Sequence, residues 1–325
     1  MIQIEPLSNE GEDCYKDILA SVTCKYSSQY LLMYSQAWFF DFDINKKEPR
    51  LGEALIYDWG NIELLMEQLT GIKAREELIS HAEEAYKRIH EKLEEGLVVS
   101  FVINMKQCYW HSWSKLKDKG RNIHIITAYG KEENSIICMD CQPPMKNIVI
   151  SKQLFVEGYE GKLVTFEKLC DKVENINYFE LMRKQINRQN QSKWFYNSFC
   201  AMHEFADCLK DIKLENECVD ENEDDFFFSP IFHNLNTLAI GRKQFGRCVS
   251  YIDEESEILG LNHCVNQLFE CSNNILLVRS WLIKARISGR TNVLIEKASD
   301  LLHKTANIEK KIASEITMCL GDRGI

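Results

Sequence analysis

Hydrophobic positions recur every three or four residues in some stretches of the chain and form short continuous runs in others. Residues 14–26 (CYKDILASVTCKY) put Ile18, Leu19, Val22 and Tyr26 on one helical face, with Asp13 as a natural N-cap. The run 38–42 (WFFDF) predicts a short strand, and a helix is expected over 62–69, ending before Gly71. A longer amphipathic helix is expected over 76–93, where Ile79, Ala82, Tyr86, Ile89 and Leu93 share a face and Gly96 provides the stop. Apolar, β-branched runs then predict strands at 97–103, 123–129 and 135–140, with two more at 147–150 and 162–166. Between the first two lies a long polar loop, 105–122, with aromatic insertions (CYWHSW), the pattern of a lid or binding wall. Beyond about residue 178 the strands cease. Helices are expected near 178–210, 230–253, 257–287 and 291–319, and the acidic stretch 215–225 (ENECVDENEDD) reads as a surface loop. The resulting fold class is α+β: a mixed domain over 1–175 followed by an α-helical domain over 176–325.

Composition narrows the function classes. With 45% hydrophobic and 27% charged residues, the chain suits a soluble globular protein with a sizeable core. No stretch reaches the roughly 20 apolar residues of a membrane span, and the N-terminal MIQIEPLSNEGEDC is no signal peptide, so a cytoplasmic protein is expected. The 13 cysteines show no framework spacing, which suggests reduced thiols. A formal net charge of −10 argues against nucleic acid as a partner. Glycine-rich phosphate loops are missing, which sets ATP-driven ligation aside; any bond-making would draw on a pre-activated donor such as a thioester. Neither a bound cofactor nor a metal is expected.

Three residues carry candidate chemistry. Cys14 sits at a helix start, where the helix dipole and free backbone N–H groups favour a thiolate and an adjacent oxyanion. His124 interrupts an apolar strand (IHIITAY), so its imidazole needs a partner or a cleft. Asp140 ends the next strand, and a hairpin at 130–134 would bring it beside His124 to fix the imidazole tautomer. Each residue alone is an ordinary structural feature; the combination and its order are informative. Cys108 is the alternative nucleophile and His111 the second candidate base. Tyr109, Trp110 and Trp113 either line a channel or pack on the sheet, and Trp59 is either core or pocket wall. Trp38, Phe39 and Phe40 read as core, and His203, His263 and His303 as helix-packing or surface residues. The pair Cys138–Cys141 is a C-x-x-C, but in a strand its thiols point to opposite faces, which suits neither zinc nor a disulfide.

The segments DCYKDILAS, KLEEGLVVSFVI and NIHIITAYGKEENSIICMD, in that order, resemble the butirosin-biosynthesis H family, relatives of the C39-like peptidases. The likeness spans roughly residues 10 to 170, and a helical tail is also typical of that family. It implies a papain-like cysteine protease fold for the N-terminal domain and a Cys14–His124–Asp140 triad. It further implies an acyltransferase that moves an acyl chain from the phosphopantetheine of a carrier protein onto a small amine. One relative, in closthioamide biosynthesis, joins a carrier-bound chain to a diamine. Papain-like enzymes usually have a glutamine six positions before the cysteine; here Ser8 stands there, with Asn9 next as a substitute oxyanion donor. That departure bears more on amide hydrolysis than on thioester exchange. A cysteine peptidase or amidase, and an inactive scaffold that binds a carrier protein, remain the alternatives.

Overall fold

The computed structural model describes residues 1–11, 13–115, 123–217, 229–256, 261–289 and 291–321. In chain order its main elements are α1 (Cys14–Tyr26), β1 (Asp41–Phe42), β2 (Leu55–Ile56), α2 (Ile62–Thr70), β3 (Ile72–Leu78) and α3 (Ala82–Glu94). Next come β4 (Val99–Asn104), β5 (Ile123–Glu132), β6 (Ser135–Cys141), β7 (Pro144–Ser151), α4 (Lys152–Gly158) and β8 (Tyr159–Lys168). The remainder is helical: α5 (Tyr178–Gln189), α6 (Ser198–Cys208), α7 (Leu214–Glu217), α8 (Pro230–Ser256), α9 (Asn262–Ser288) and α10 (Thr291–Gly321). The chain is therefore mixed α+β. No described helix is long and apolar enough to cross a membrane.

Two compact units emerge, one from residues 1–30 and 63–174, the other from 31–62 and 175–325. The second junction matches the expected boundary at 175. The first does not: residues 31–62, expected in the N-terminal domain, associate with the C-terminal helices instead.

The first unit is built on a six-stranded sheet of order β3-β8-β4-β5-β6-β7, antiparallel throughout. Its core combines Phe101, Ile103, Ile126, Ala128, Ile148 and Ile150 of the sheet with Tyr86 and Ile89 of α3 and Phe155 of α4. The expected 76–93 helix is shorter than its periodicity implied. Residues 72–78 (IKAREEL) form the edge strand β3, whose charges pair across to β8 through Arg75–Glu167 and Lys162–Glu76. An edge strand with one open side tolerates such polarity, so apolar runs do not reveal it.

In the second unit, Phe40, Phe42 and Leu51 pack with Phe205 of α6, Phe232 and Leu235 of α8, Leu282 of α9 and Leu302 of α10. The expected 38–42 strand reduces to β1, while Trp38, Phe39 and Phe40 are buried. The expected 178–210 helix breaks in two: Ser192 and Lys193 turn aside to donate to Asp41, and Asn197 caps α6 by accepting from Cys200 N. The acidic stretch expected as loop begins inside α7, where buried Glu217 accepts the N–H groups of Leu51 and Gly52. Residues 218–228 lie outside the described residues.

Candidate active site

Residues 14–26 form α1 as the pattern predicts, and Asp13 caps it: its Oδ1 accepts Lys16 N–H at 2.8 Å. Cys14 is the first residue of this helix and is half-buried. First-turn N–H groups have no intrahelical acceptors and carry the positive end of the helix dipole. The preceding chain lies directly on this turn. A Cβ at Gly11 would come within 2.3 Å of Lys16 Cβ and 3.0 Å of Asp17 N, so only glycine fits.

His124 enters from β5 and Asp140 from β6. The pairing of Thr127 with Met139 and Ala128 with Cys138, continued outward, sets Ile126 opposite Asp140. His124 is two residues further along on the same face, a diagonal neighbour within side-chain reach. Its Nε2–H donates to Asp140 Oδ2 at 2.8 Å, with His124 5% and Asp140 0% exposed. With Nε2 so engaged, Nδ1 is the nitrogen left for the hydrogen bond between His124 and Cys14. Asp140 is itself anchored: Oδ2 also accepts Trp110 Nε1–H at 2.8 Å, and Oδ1 accepts Gln142 N–H at 2.8 Å. Burial alone would lower the His124 pKa, but the hydrogen bonds and charges of Asp140 and Cys14 outweigh it and raise it to about 9. At neutral pH the imidazole is a buried cation bound on both sides.

The other sequence candidates divide. Trp110, expected as a channel wall or packing residue, joins the His124–Asp140 pair directly by donating to Asp140. His111, the second candidate base, is buried edge-on to His124 at a ring separation of 5.4 Å. Burial first, and then the His124 charge, hold it below the ordinary histidine value. Asn9 has a left-handed backbone (φ 57°); its amide contacts Ser8 Oγ at 3.4 Å and its N–H donates to Asp17. Its backbone N–H thus joins it to α1. The Trp113 side chain lies outside the described residues. Trp59 belongs to the helical unit, where it is buried edge-on to Tyr34 and against Gly241, a packing residue there.

Among the thiols, Cys108 is buried and pushed up to about 12 by that burial and by Asp140, the opposite of what a nucleophile requires. Cys138 joins the core beneath α3 and α4, while Cys141 Sγ lies 3.3 Å from Ser21 Oγ of α1, so the C-x-x-C thiols do take opposite faces. Sequence reasoning missed Asp17 and Gln142. The available signal for Asp17 was its position three residues after Cys14, a charge on the helix face that Ile18 and Ser21 help to bury. Gln142, in a turn, gave none.

A scan of protein-family models finds none that matches the chain. A search of curated proteins likewise returns no match.

Proposed function

We propose that the protein is a cysteine-dependent acyltransferase with a papain-like catalytic unit. Cys14 is the nucleophile, His124 the acid–base residue and Asp140 the group that orients it. The observation that carries this reading is the hydrogen-bonded succession of a helix-start cysteine, a buried imidazolium and a fully buried carboxylate. An imidazolium held against Cys14 is the counter-ion a thiolate needs. The papain-like reading is supported by a cysteine-bearing helix followed by an antiparallel sheet whose neighbouring strands supply the histidine and the aspartate. The narrower reading, amide formation in secondary-metabolite biosynthesis, rests on the sequence resemblance. Its donor is a carrier-protein thioester and its acceptor a small amine.

In the first half-reaction the Cys14 thiolate adds to the thioester carbonyl, and first-turn N–H groups receive the developing oxyanion. Collapse breaks the bond to the pantetheine sulfur, which leaves with the proton from His124. An amine then attacks the acyl-cysteine, and neutral His124 takes a proton from its nitrogen. Collapse of the second adduct expels the Cys14 thiolate and leaves an amide. The thioester supplies the driving force, so no nucleotide is consumed.

Incubation with an S-acyl pantetheine and no amine tests this. Intact mass should show one acyl group, absent in Cys14→Ala, which amines discharge much faster than buffer. Cys14-dependent cleavage of peptides without any acyl adduct from thioesters would replace this reading with a peptidase. Silence toward both substrate classes would favour a binding scaffold.

A further inference from the structure

Asp17 lies one turn beyond Cys14 on α1 and is fully buried. Its Oδ1 accepts the backbone N–H groups of Glu10 and Gly11, both at 2.7 Å. Its Oδ2 accepts Asn9 N–H at 3.1 Å and Gln142 Nε2–H at 2.7 Å. Three consecutive backbone donors converge on one carboxylate because Asn9, at φ 57°, turns the segment through a left-handed residue. Gly11 then lies flat on the helix turn that begins with Cys14. Gln142 also reaches the other end of the site, since its own N–H holds Asp140 Oδ1. One carboxylate thus ties the chain before the nucleophile to the loop that anchors the orienting acid.

The arrangement is costly to the fold. Burial pushes Asp17 up to about 6, against hydrogen bonds from Gln142, Gly11, Glu10 and Asn9 that lower it. A buried carboxylate retained despite that penalty supplies what an apolar or amide side chain lacks here, two oxygens that accept four bonds.

We propose that Asp17 is the positioning residue for the oxyanion side of this site, holding the 9–11 segment and Gln142 so that the donors beside Cys14 meet the tetrahedral adduct. The inference rests on the acyl-transfer reading, and its test separates the two. Iodoacetamide and p-nitrophenyl acetate both report the Cys14–His124 pair, but only the second needs an oxyanion site. In alkylation, Sγ displaces iodide directly. In acylation, Sγ adds to the carbonyl carbon, the π pair moves to oxygen, and its return expels nitrophenolate. Asp17→Asn keeps Oδ1 as an acceptor for Glu10 and Gly11, and turns the other position into a donor facing Asn9 N–H and the Gln142 amide.

The expected result is Cys14 alkylation within about twofold of the parent and acylation slower by about 10²-fold, the scale of losing an oxyanion donor. In the parent the ratio of acylation to alkylation should fall below about pH 6, as Asp17 gains a proton; in Asp17→Asn it should be flat. Both reactions use the same Sγ, so the ratio cancels what they share. The neighbouring Cys141 thiol, raised to about 12 chiefly by burial, is silent in this range. Equal loss of both reactions would make Asp17 a support of the whole pair and overturn the proposal, as would no loss of either. If the parent is neither alkylated selectively at Cys14 nor acylated, the acyl-transfer reading fails first. Should Asp17→Asn not fold, Gln142→Leu cuts one arm of the strut and is expected to show the same split between the two reactions.

Discussion

At the scale of single residues, the positioning role proposed for Asp17 and the stability cost of its burial pull in opposite directions. Its folded pKa of about 6 exceeds the unfolded value, so ionised Asp17 costs stability at neutral pH and the cost eases as pH falls. Trp110 illustrates a second demand, donors that hold an acid still. Trp110→Phe keeps an aromatic ring but removes the N–H that reaches Asp140. A hydrogen bond to a charged group contributes about 1.5 kcal/mol or more, which corresponds to roughly tenfold in rate. We expect the proposed acyl transfer to slow by about that factor and the melting temperature to fall as well, since the folded state loses the same bond. An unaltered rate would reduce Trp110 to packing.

At the scale of elements, α6 and α10 meet through two histidines. His203 Nδ1 and His303 Nδ1 lie 2.7 Å apart, a distance at which one proton is shared, and His303 Nε2 lies 3.2 Å from Asp207 Oδ1. Burial first, and then His303, lower the His203 pKa, with Asn307 and Asp207 opposing. The sign follows from linkage. The unfolded chain takes up a proton at His203 near pH ~6.5 while the folded residue resists it, so stability falls as pH drops through that value. His203→Gln should therefore lose less melting temperature between pH 7.5 and 5.5 than the parent does. An unchanged difference would show that this contact does not sense acid.

At the scale of the whole molecule, each unit has its own core and its own buried polar anchor. In the helical unit Arg242 and Glu309 pair at 2.8 Å with both side chains fully buried. Trp38 Nε1 donates to the same carboxylate and Arg242 donates to Phe39 O, which fastens residues 38–39 to the helices of their unit. Breaking one side of a buried pair strands the other charge, at a cost of about 3–5 kcal/mol. Glu309→Gln should lower the denaturant midpoint of this unit accordingly, and Arg242→Met with Glu309→Leu should recover much of the loss. A single substitution without effect would mean that water reaches the guanidinium.

The sequence by itself determined the elements whose residues carry their own signal. Asp13 capping α1, the β-branched runs of β4, β5 and β6, and Gly71 and Gly96 as stops were all legible, because capping, alternation and positive φ are local. The approach of His124 to Asp140 was legible only in part: the short hairpin pairs the two apolar strands, but the bulge between Ala128 and Gly130, which shifts the register by one, brings both side chains to one face. Tertiary structure decided what local chemistry leaves open. The polar strand β3 exists because β8 offers it partners, and residues 31–62 associate with distant helices through Trp38, Phe40 and Phe42. Likewise Asp17, Gln142 and Trp110 acquire their place only when α1, the 142 turn and the 110 loop converge on two carboxylates. A hydrogen bond between residues 125 positions apart has no periodicity to announce it, only the geometry of the folded chain.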